Sequence, residues 1–377
     1  MHGNALGTGD PGPRARISGV RYIIIGAGAV GGTIGGRLAQ GGHEVVLVAR
    51  GAHLDALRTD GLRLATPLGT GTLKVPAVAG PDEVELRPGD VLVLATKSQD
   101  SVPVLTEWAR QPVAGGGTAA RDLPVVCAQN GVANERFALR RFRHVYGMCV
   151  WLPATHVAPG AVAAHGHPLT GLLFVGRYPS GTDETIEAIA ADLASSRFLA
   201  PVSPGVMRWK YRKLLGNLGN SIEALSGPAA AGRDGDQSDT ARELLERTTA
   251  EGTAVLDAAG IGYASSAELR AERGHHVDFA PVAGITYGGG SSWQSLARRT
   301  GAIEADFLNG EIVLLGRQYG IPTPVNEVLQ RLANRAAVER LQPGSVSPDE
   351  ILAEAAAEEE GTEEGTEQAA EEFASPS

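Results

Sequence analysis

The sequence predicts an α/β protein, with a doubly wound parallel sheet of the Rossmann type at the N-terminus and an all-helical domain after it. Three observations carry this. A β-branched run, Ile23-Ile24-Ile25, leads into Gly26-Ala27-Gly28-Ala29-Val30-Gly31. Further apolar runs, Asp90–Thr96 and Pro124–Ala128, each end in polar residues. From about residue 204 the apolar positions recur at intervals of three and four, the spacing of packed helices. At 377 residues the chain is long for one core, so two domains are expected. The expected division is a disordered leader over 1–20, a nucleotide-binding domain over 21–203, a helical domain over 204–342 and a disordered acidic tail over 343–377.

Each glycine of the first motif has a mechanical reason. Gly26 permits a tight turn, Gly28 lets the backbone approach a pyrophosphate, and Gly31 lets the following helix pack closely on the strand. The helix N-terminus then faces the phosphates. A second strand, Glu44–Val48, completes a strand–helix–strand unit, the context that makes this fingerprint informative. Ala27, Ala29 and Val30 belong to the same turn. Arg50 follows the second strand, with no acid beside it before Asp55. An acid at this place binds ribose hydroxyls, whereas an arginine accommodates a 2′-phosphate. Arg50 therefore reads as a mark of NADPH, or else as a solvated loop arginine.

Residues 62–80 suggest a hairpin, and 145–176 further strands. Lys97 and Asn130 follow the two later apolar runs, at the strand ends where ligands bind in open α/β sheets. Each could equally be a polar residue ending a strand. Asp183–Leu193 reads as a helix. The most informative helix is expected over Met207–Leu225, with Leu214, Leu215, Leu218, Ile222 and Leu225 on one face. A different stripe carries Lys213, Asn217, Asn220 and Ser221, which is either a functional face or an ordinary wet one. Helical text over Ala302–Gly316 places Glu304 near its start, and a last amphipathic helix is expected over Val325–Leu341.

Composition excludes several functions. The net charge is −10, but nine glutamates lie within 354–377, and the remainder is close to neutral at −1. Such a body makes no electrostatic case for nucleic acid or an anionic membrane. The two cysteines, Cys127 and Cys149, have no metal-ligand spacing and favour a reducing, cytoplasmic setting. No metal site is expected. No apolar run is long enough to span a bilayer, and residues 1–20 lack the apolar core of a secretory signal.

With these residues in view, the chain resembles the ketopantoate reductase family, the 2-dehydropantoate 2-reductases and their relatives. The resemblance runs from about Tyr22 to Ala336. It rests on Ile25–Gly32, on Arg212-Lys213-Leu214-Leu215-Gly216-Asn217, and on Ser291-Ser292 followed by Glu304-Ala305-Asp306-Phe307-Leu308-Asn309-Gly310. It implies NADPH-dependent reduction of a 2-oxo acid, most directly 2-dehydropantoate in pantothenate biosynthesis, in a cleft between the two domains. It implies Lys213 as general acid and Glu304 as a partner that orients lysine and substrate. Arg50 would bind the 2′-phosphate, and Lys97 and Asn130 would stand at the nicotinamide end. Asn217 and Ser292 would bind substrate, with Asn220 or Ser221 supplying a second polar group. Alignment on Gln294 instead of Glu304 makes Ser291 the family serine. The family also implies a dimer through the helical domain. The alternatives are another small ketone or oxo acid as substrate, or a silent NADP-binding sensor.

Overall fold

The structure is a computed structural model and describes residues 20–232 and 237–360. The expectations for residues 1–19 and 361–377 lie outside the described residues.

A seven-stranded sheet organises the N-terminal half. Its order is Leu172–Arg177, His144–Trp151, Pro124–Cys127, Asp90–Leu94, Arg21–Ile25, Glu44–Val48 and Ala77–Val78. All neighbours are parallel except the first pair, which is antiparallel. The Arg21–Ile25 strand is buried along its whole length, as expected of a parallel strand covered on both faces. Tyr22 and Ile24 pack with Ile34 and Leu38 on one side, and Ile23 and Ile25 pack with Leu105 and Trp108 on the other. Successive strands run outward in opposite directions from Arg21–Ile25, so a crevice opens at its carboxyl end.

The hairpin expected within 62–80 is present as Leu62–Thr66 and Gly69–Leu73. It joins Ala161–Ala164 and Ala154–Ala158 in a second, four-stranded sheet. The helix Glu184–Ser195 is capped by the Asp183 side chain, which accepts from the Ile186 N–H. A third pairing, Gly166–Pro168 with Val277–Phe279, stitches the sheet-bearing half to the helical half.

The helical half consists mainly of Val206–Asn217, Gly219–Ser226, Asp239–Ala258, Asn309–Tyr319 and Pro324–Val338. The single helix expected over Met207–Leu225 is interrupted at Leu218. Glycines at 216 and 219 weaken helical continuity there, and a side chain at Gly219 would press on Leu245.

The expectation of a disordered tail from 343 is corrected for 348–360, which is helical. Ser347 caps it: its hydroxyl accepts from the Glu350 N–H at 3.2 Å, while the Ser347 N–H donates to the Glu350 carboxylate at 2.7 Å. This is a reciprocal cap of the Ser-x-x-Glu type. Ile351 and Ala355 are completely buried among Leu225, Leu332 and Ala336. Arg331 pairs with Glu354 at 2.9 Å and Glu358 at 2.6 Å. Glu354, Glu358, Glu359 and Glu360, the described part of the glutamate-rich text that suggested a disordered tail, lie on this helix and none of them is buried.

Candidate active site

The strand ends and the Val206–Asn217 helix enclose a cavity of about 850 Å³. One wall begins at the glycine turn. Gly26 has φ +101°, and a Cβ there would lie 2.9 Å from the Thr96 nitrogen, so this position needs glycine. A Cβ on Gly31 would fall 2.1 Å from the Gly26 carbonyl oxygen. Gly31 is thus a packing residue and does not line the cavity, unlike Gly26, Ala27, Gly28, Ala29 and Val30. Gly28 has open space around its missing side chain and stands as N-cap of Ala29–Gln40 without a side-chain cap. An open, uncapped helix N-terminus suits a phosphate group.

A buried polar network holds the neighbouring strand ends. The Gln129 amide donates to the Thr96 carbonyl at 2.9 Å and to the Ser101 hydroxyl at 2.8 Å. Ser101 donates to Asn134 at 2.7 Å, and Asn134 donates to Ser98 at 3.0 Å and to the Asn130 carbonyl at 3.1 Å. These bonds fix the turns that present Lys97 and Asn130 to the cavity. The Lys97 ammonium meets the Glu304 carboxylate at 2.6 Å. The other Glu304 oxygen accepts from the Ser98 N–H at 3.0 Å and hydroxyl at 3.1 Å. Burial pushes the Glu304 carboxyl upward, but Lys97 and Ser98 outweigh it and hold the group below its ordinary value. The sequence expectation placed Glu304 beside Lys213; its bonded partners are Lys97 and Ser98.

Lys213 reaches the cavity from the opposite wall. Its ammonium donates to the Val150 carbonyl and lies 4.9 Å from the centroid of the Trp151 ring. Burial is the main cause that lowers it to about 8; Cys149 opposes that shift and the Lys210 charge adds to it. Three residues earlier, Lys210 is buried with Glu135 in an ion pair and donates to the Gln129 carbonyl at 3.1 Å. This bond ties the lysine helix to the strand end that carries Asn130.

The remaining expected residues divide. Asn217 and Asn220 line the cavity, and the Asn217 amide nitrogen has no hydrogen-bond partner among the described residues. Ser221 is fully buried and donates to Asn309 at 2.6 Å, which removes it from the substrate side and corrects that expectation. Ser292 is also corrected: it is buried and off the cavity, whereas Ser291 lines it; neither hydroxyl has a hydrogen-bond partner among the described residues. The reason is rotational, since adjacent residues of the Ser291–Ala297 helix face about 100° apart. Arg50 lines the cavity, with its guanidinium exposed.

Sequence reasoning passed over Trp151, His53, His156 and Arg298, all of which line the cavity. Trp151 ends a buried strand on the same edge as Lys97 and Asn130, so the strand-end rule could have found it. The other three carry no local signal. Among the described residues no cluster of His, Cys, Asp or Glu could hold a metal ion, and no helix is long and apolar enough to cross a membrane.

Residues 22–179 match the family profile described as ketopantoate reductase PanE/ApbA, and residues 205–337 match its C-terminal counterpart. A 2-dehydropantoate 2-reductase of Mesorhizobium japonicum is 29% identical, covering 85% of this chain and 99% of that protein. One from Pyrococcus abyssi is 26% identical, covering 82% and 95%. The crystal structure of a PanE/ApbA family ketopantoate reductase from Ralstonia eutropha superposes with a TM-score of 0.67 at 28% identity, covering 85% of this chain and 99% of that one. A D-mandelate dehydrogenase in complex with NADH and anilino(oxo)acetate shares the fold, with a TM-score of 0.70 at 23% identity, covering 85% and 99%.

Proposed function

The chain belongs to the ketopantoate reductase family of oxidoreductases, and on that premise we propose that it reduces a 2-oxo acid to the 2-hydroxy acid with NADPH, 2-dehydropantoate being the first candidate substrate. The observation that carries the reading is the placement of Lys213 across one cavity from the open glycine turn. Bound at that turn, NADPH would supply the hydride.

The turn residues Gly26 to Val30 would hold the pyrophosphate, and Arg50 the 2′-phosphate. The open surround of Gly28 and the exposed Arg50 side chain fit such a ligand. Lys97 and Asn130 would stand at the nicotinamide end. Asn217, Asn220 and Ser291 would bind the substrate's carboxylate and hydroxyl groups; the unpartnered Asn217 and Ser291 atoms fit that role. Negative charge grows on the ketone oxygen as hydride arrives. The Lys213 ammonium stabilises that charge and then delivers its proton to the oxygen. An acid lowered toward 8 gives up its proton more readily than an ordinary lysine. Glu304 holds Lys97 in place, and we assign it a supporting role at the cofactor end.

A second reading keeps the chemistry and changes the substrate. Trp151, Phe279 and Tyr287 line the cavity, which favours a 2-oxo acid with a bulkier apolar substituent than 2-dehydropantoate. Purified protein, assayed by NADPH absorbance against 2-dehydropantoate, a phenyl-substituted 2-oxo acid and pyruvate, separates the readings. Preference for 2-dehydropantoate supports the first, and preference for the aryl acid the second. No NADPH oxidation with any of them contradicts both.

A further inference from the structure

Arg298 stands at the C-terminal end of the Ser291–Ala297 helix, in the helical half of the chain, and lines the same cavity as the glycine turn. Its helix is fastened to the opposite half by the Gln294 amide, which donates to the Ala154 carbonyl at 3.3 Å and, within its own half, to the Gly289 carbonyl at 3.0 Å. Ala154 begins the strand that carries His156. His156 lies 3.3 Å from His53, which in turn contacts the Ala27 carbonyl of the glycine turn at 2.8 Å. The Gly160 N–H donates to the other His53 ring nitrogen at 2.9 Å. That nitrogen must therefore be the acceptor and the first the donor, which fixes the neutral tautomer. Burial lowers His156 to about 4, and His53 and the Arg298 guanidinium push in the same direction.

Arg298 is thus within electrostatic reach of a histidine pair that abuts the phosphate-binding turn. Its side chain makes no hydrogen bond or ion pair among the described residues. No acidic residue lies in the first turn of the Ala29–Gln40 helix. The acids that line the cavity are Asp100, Asp278 and Glu304; Asp278 pairs with Arg273 and Glu304 with Lys97. A guanidinium is suited to this place because its planar fork binds two phosphate oxygens at once.

We infer that Arg298 is a cofactor-binding residue supplied by the helical domain, closing on the dinucleotide's pyrophosphate from the side opposite the Gly26–Val30 turn. The inference requires that a dinucleotide occupy the cleft. It adds that both halves of the chain grip the phosphates, so cofactor binding also fixes the helical wall that carries Lys213.

Equilibrium titration of the full chain with NADPH, NADH and ADP-ribose tests this without any substrate. ADP-ribose keeps the pyrophosphate and lacks both the nicotinamide and the 2′-phosphate. Arg298→Ala is expected to weaken all three by about tenfold or more, the scale of a lost charge-assisted hydrogen bond. Arg298→Lys is expected to recover part of the loss, because it restores charge but not the fork. Arg50→Ala is expected to weaken NADPH alone. Unchanged ADP-ribose affinity in Arg298→Ala overturns the inference, and a loss confined to NADPH reassigns Arg298 to the 2′-phosphate and overturns it as stated. If the unsubstituted chain binds no dinucleotide, the proposed function fails first. Thermal melting without ligand shows whether each variant is folded before its affinity is compared.

Discussion

On the sheet side of the cleft, position is set by backbone. Gly26 adopts φ +101°, Gly31 has no room for a Cβ, and buried amides of Gln129 and Asn134 lock the strand ends. On the helical side, side chains project with polar atoms still unpartnered, among them the Asn217 amide nitrogen and the Ser291 hydroxyl. The first wall has its turns and strand ends locked before any ligand arrives, with only single atoms such as the Gln129 amide oxygen and the Trp151 indole nitrogen lacking partners among the described residues. The second leaves groups for a ligand to satisfy, which is costly when they are buried. The same contrast divides the lysines. Lys97 is neutralised by Glu304, whereas the recorded hydrogen bond of Lys213 goes to a carbonyl and its charge lies near an aromatic face. An ammonium without a carboxylate partner is available to a developing oxyanion; a paired one is better suited to hold shape.

The largest effect expected from this contrast is on Lys213. Lys213→Ala should lower kcat for reduction by about 10²–10⁴-fold, the usual worth of a positioned proton donor, while NADPH affinity by titration stays close to that of the unsubstituted chain. An equal loss of affinity would place Lys213 on the cofactor wall instead. Next comes Lys210, whose pairing with Glu135 is buried on both sides. Lys210→Met should cost about 3–5 kcal/mol of stability in a denaturant titration, because it leaves Glu135 buried and uncompensated. The double variant Lys210→Met/Glu135→Leu should regain much of that loss. Glu304→Gln should cost less, about 1–2 kcal/mol, since the Lys97 side chain is 35% exposed and can turn to water.

Smaller effects separate the serines. Ser291→Ala should raise KM for the oxo acid several-fold, about the worth of one hydrogen bond, with little change in melting temperature. Ser221→Ala should do the reverse. It leaves the Asn309 amide oxygen without its 2.6 Å donor, costs about 1 kcal/mol of stability and leaves KM unchanged. If Ser221→Ala changes KM and Ser291→Ala does not, the helical wall has been assigned the wrong face.

How much of this was legible in the sequence follows from how local each feature is. The glycine turn and the strand-end residues Lys97 and Asn130 could be placed because each depends on its own strand and turn. The Lys213 stripe could be seen from helical spacing, and its two glycines are the local sign of the interruption at Leu218. The Ser221 partner is 88 residues away, and no periodicity reports such a contact. Whether Ser291 or Ser292 faces the cavity depends on a rotation set by packing of a short helix. The 348–360 helix was obscured because its two buried positions, Ile351 and Ala355, sit in glutamate-rich text. Arg298 carried no signal at all, since its relevance arises where the two halves of the chain meet.

The central claim is that Lys213 donates the proton from a cleft that lowers its pKa. It is tested most directly by kcat/KM for NADPH-driven reduction as a function of pH, measured in parallel for the unsubstituted chain and Lys213→Ala. Burial moves the folded-state lysine from 10.5 to about 8, and reduction needs the protonated form. The rate should therefore be level below about 8 and fall about tenfold per pH unit above it, and Lys213→Ala should be slow at every pH and lack this limb. A profile that stays flat through pH 8 and beyond, or the same limb surviving in Lys213→Ala, would contradict the account.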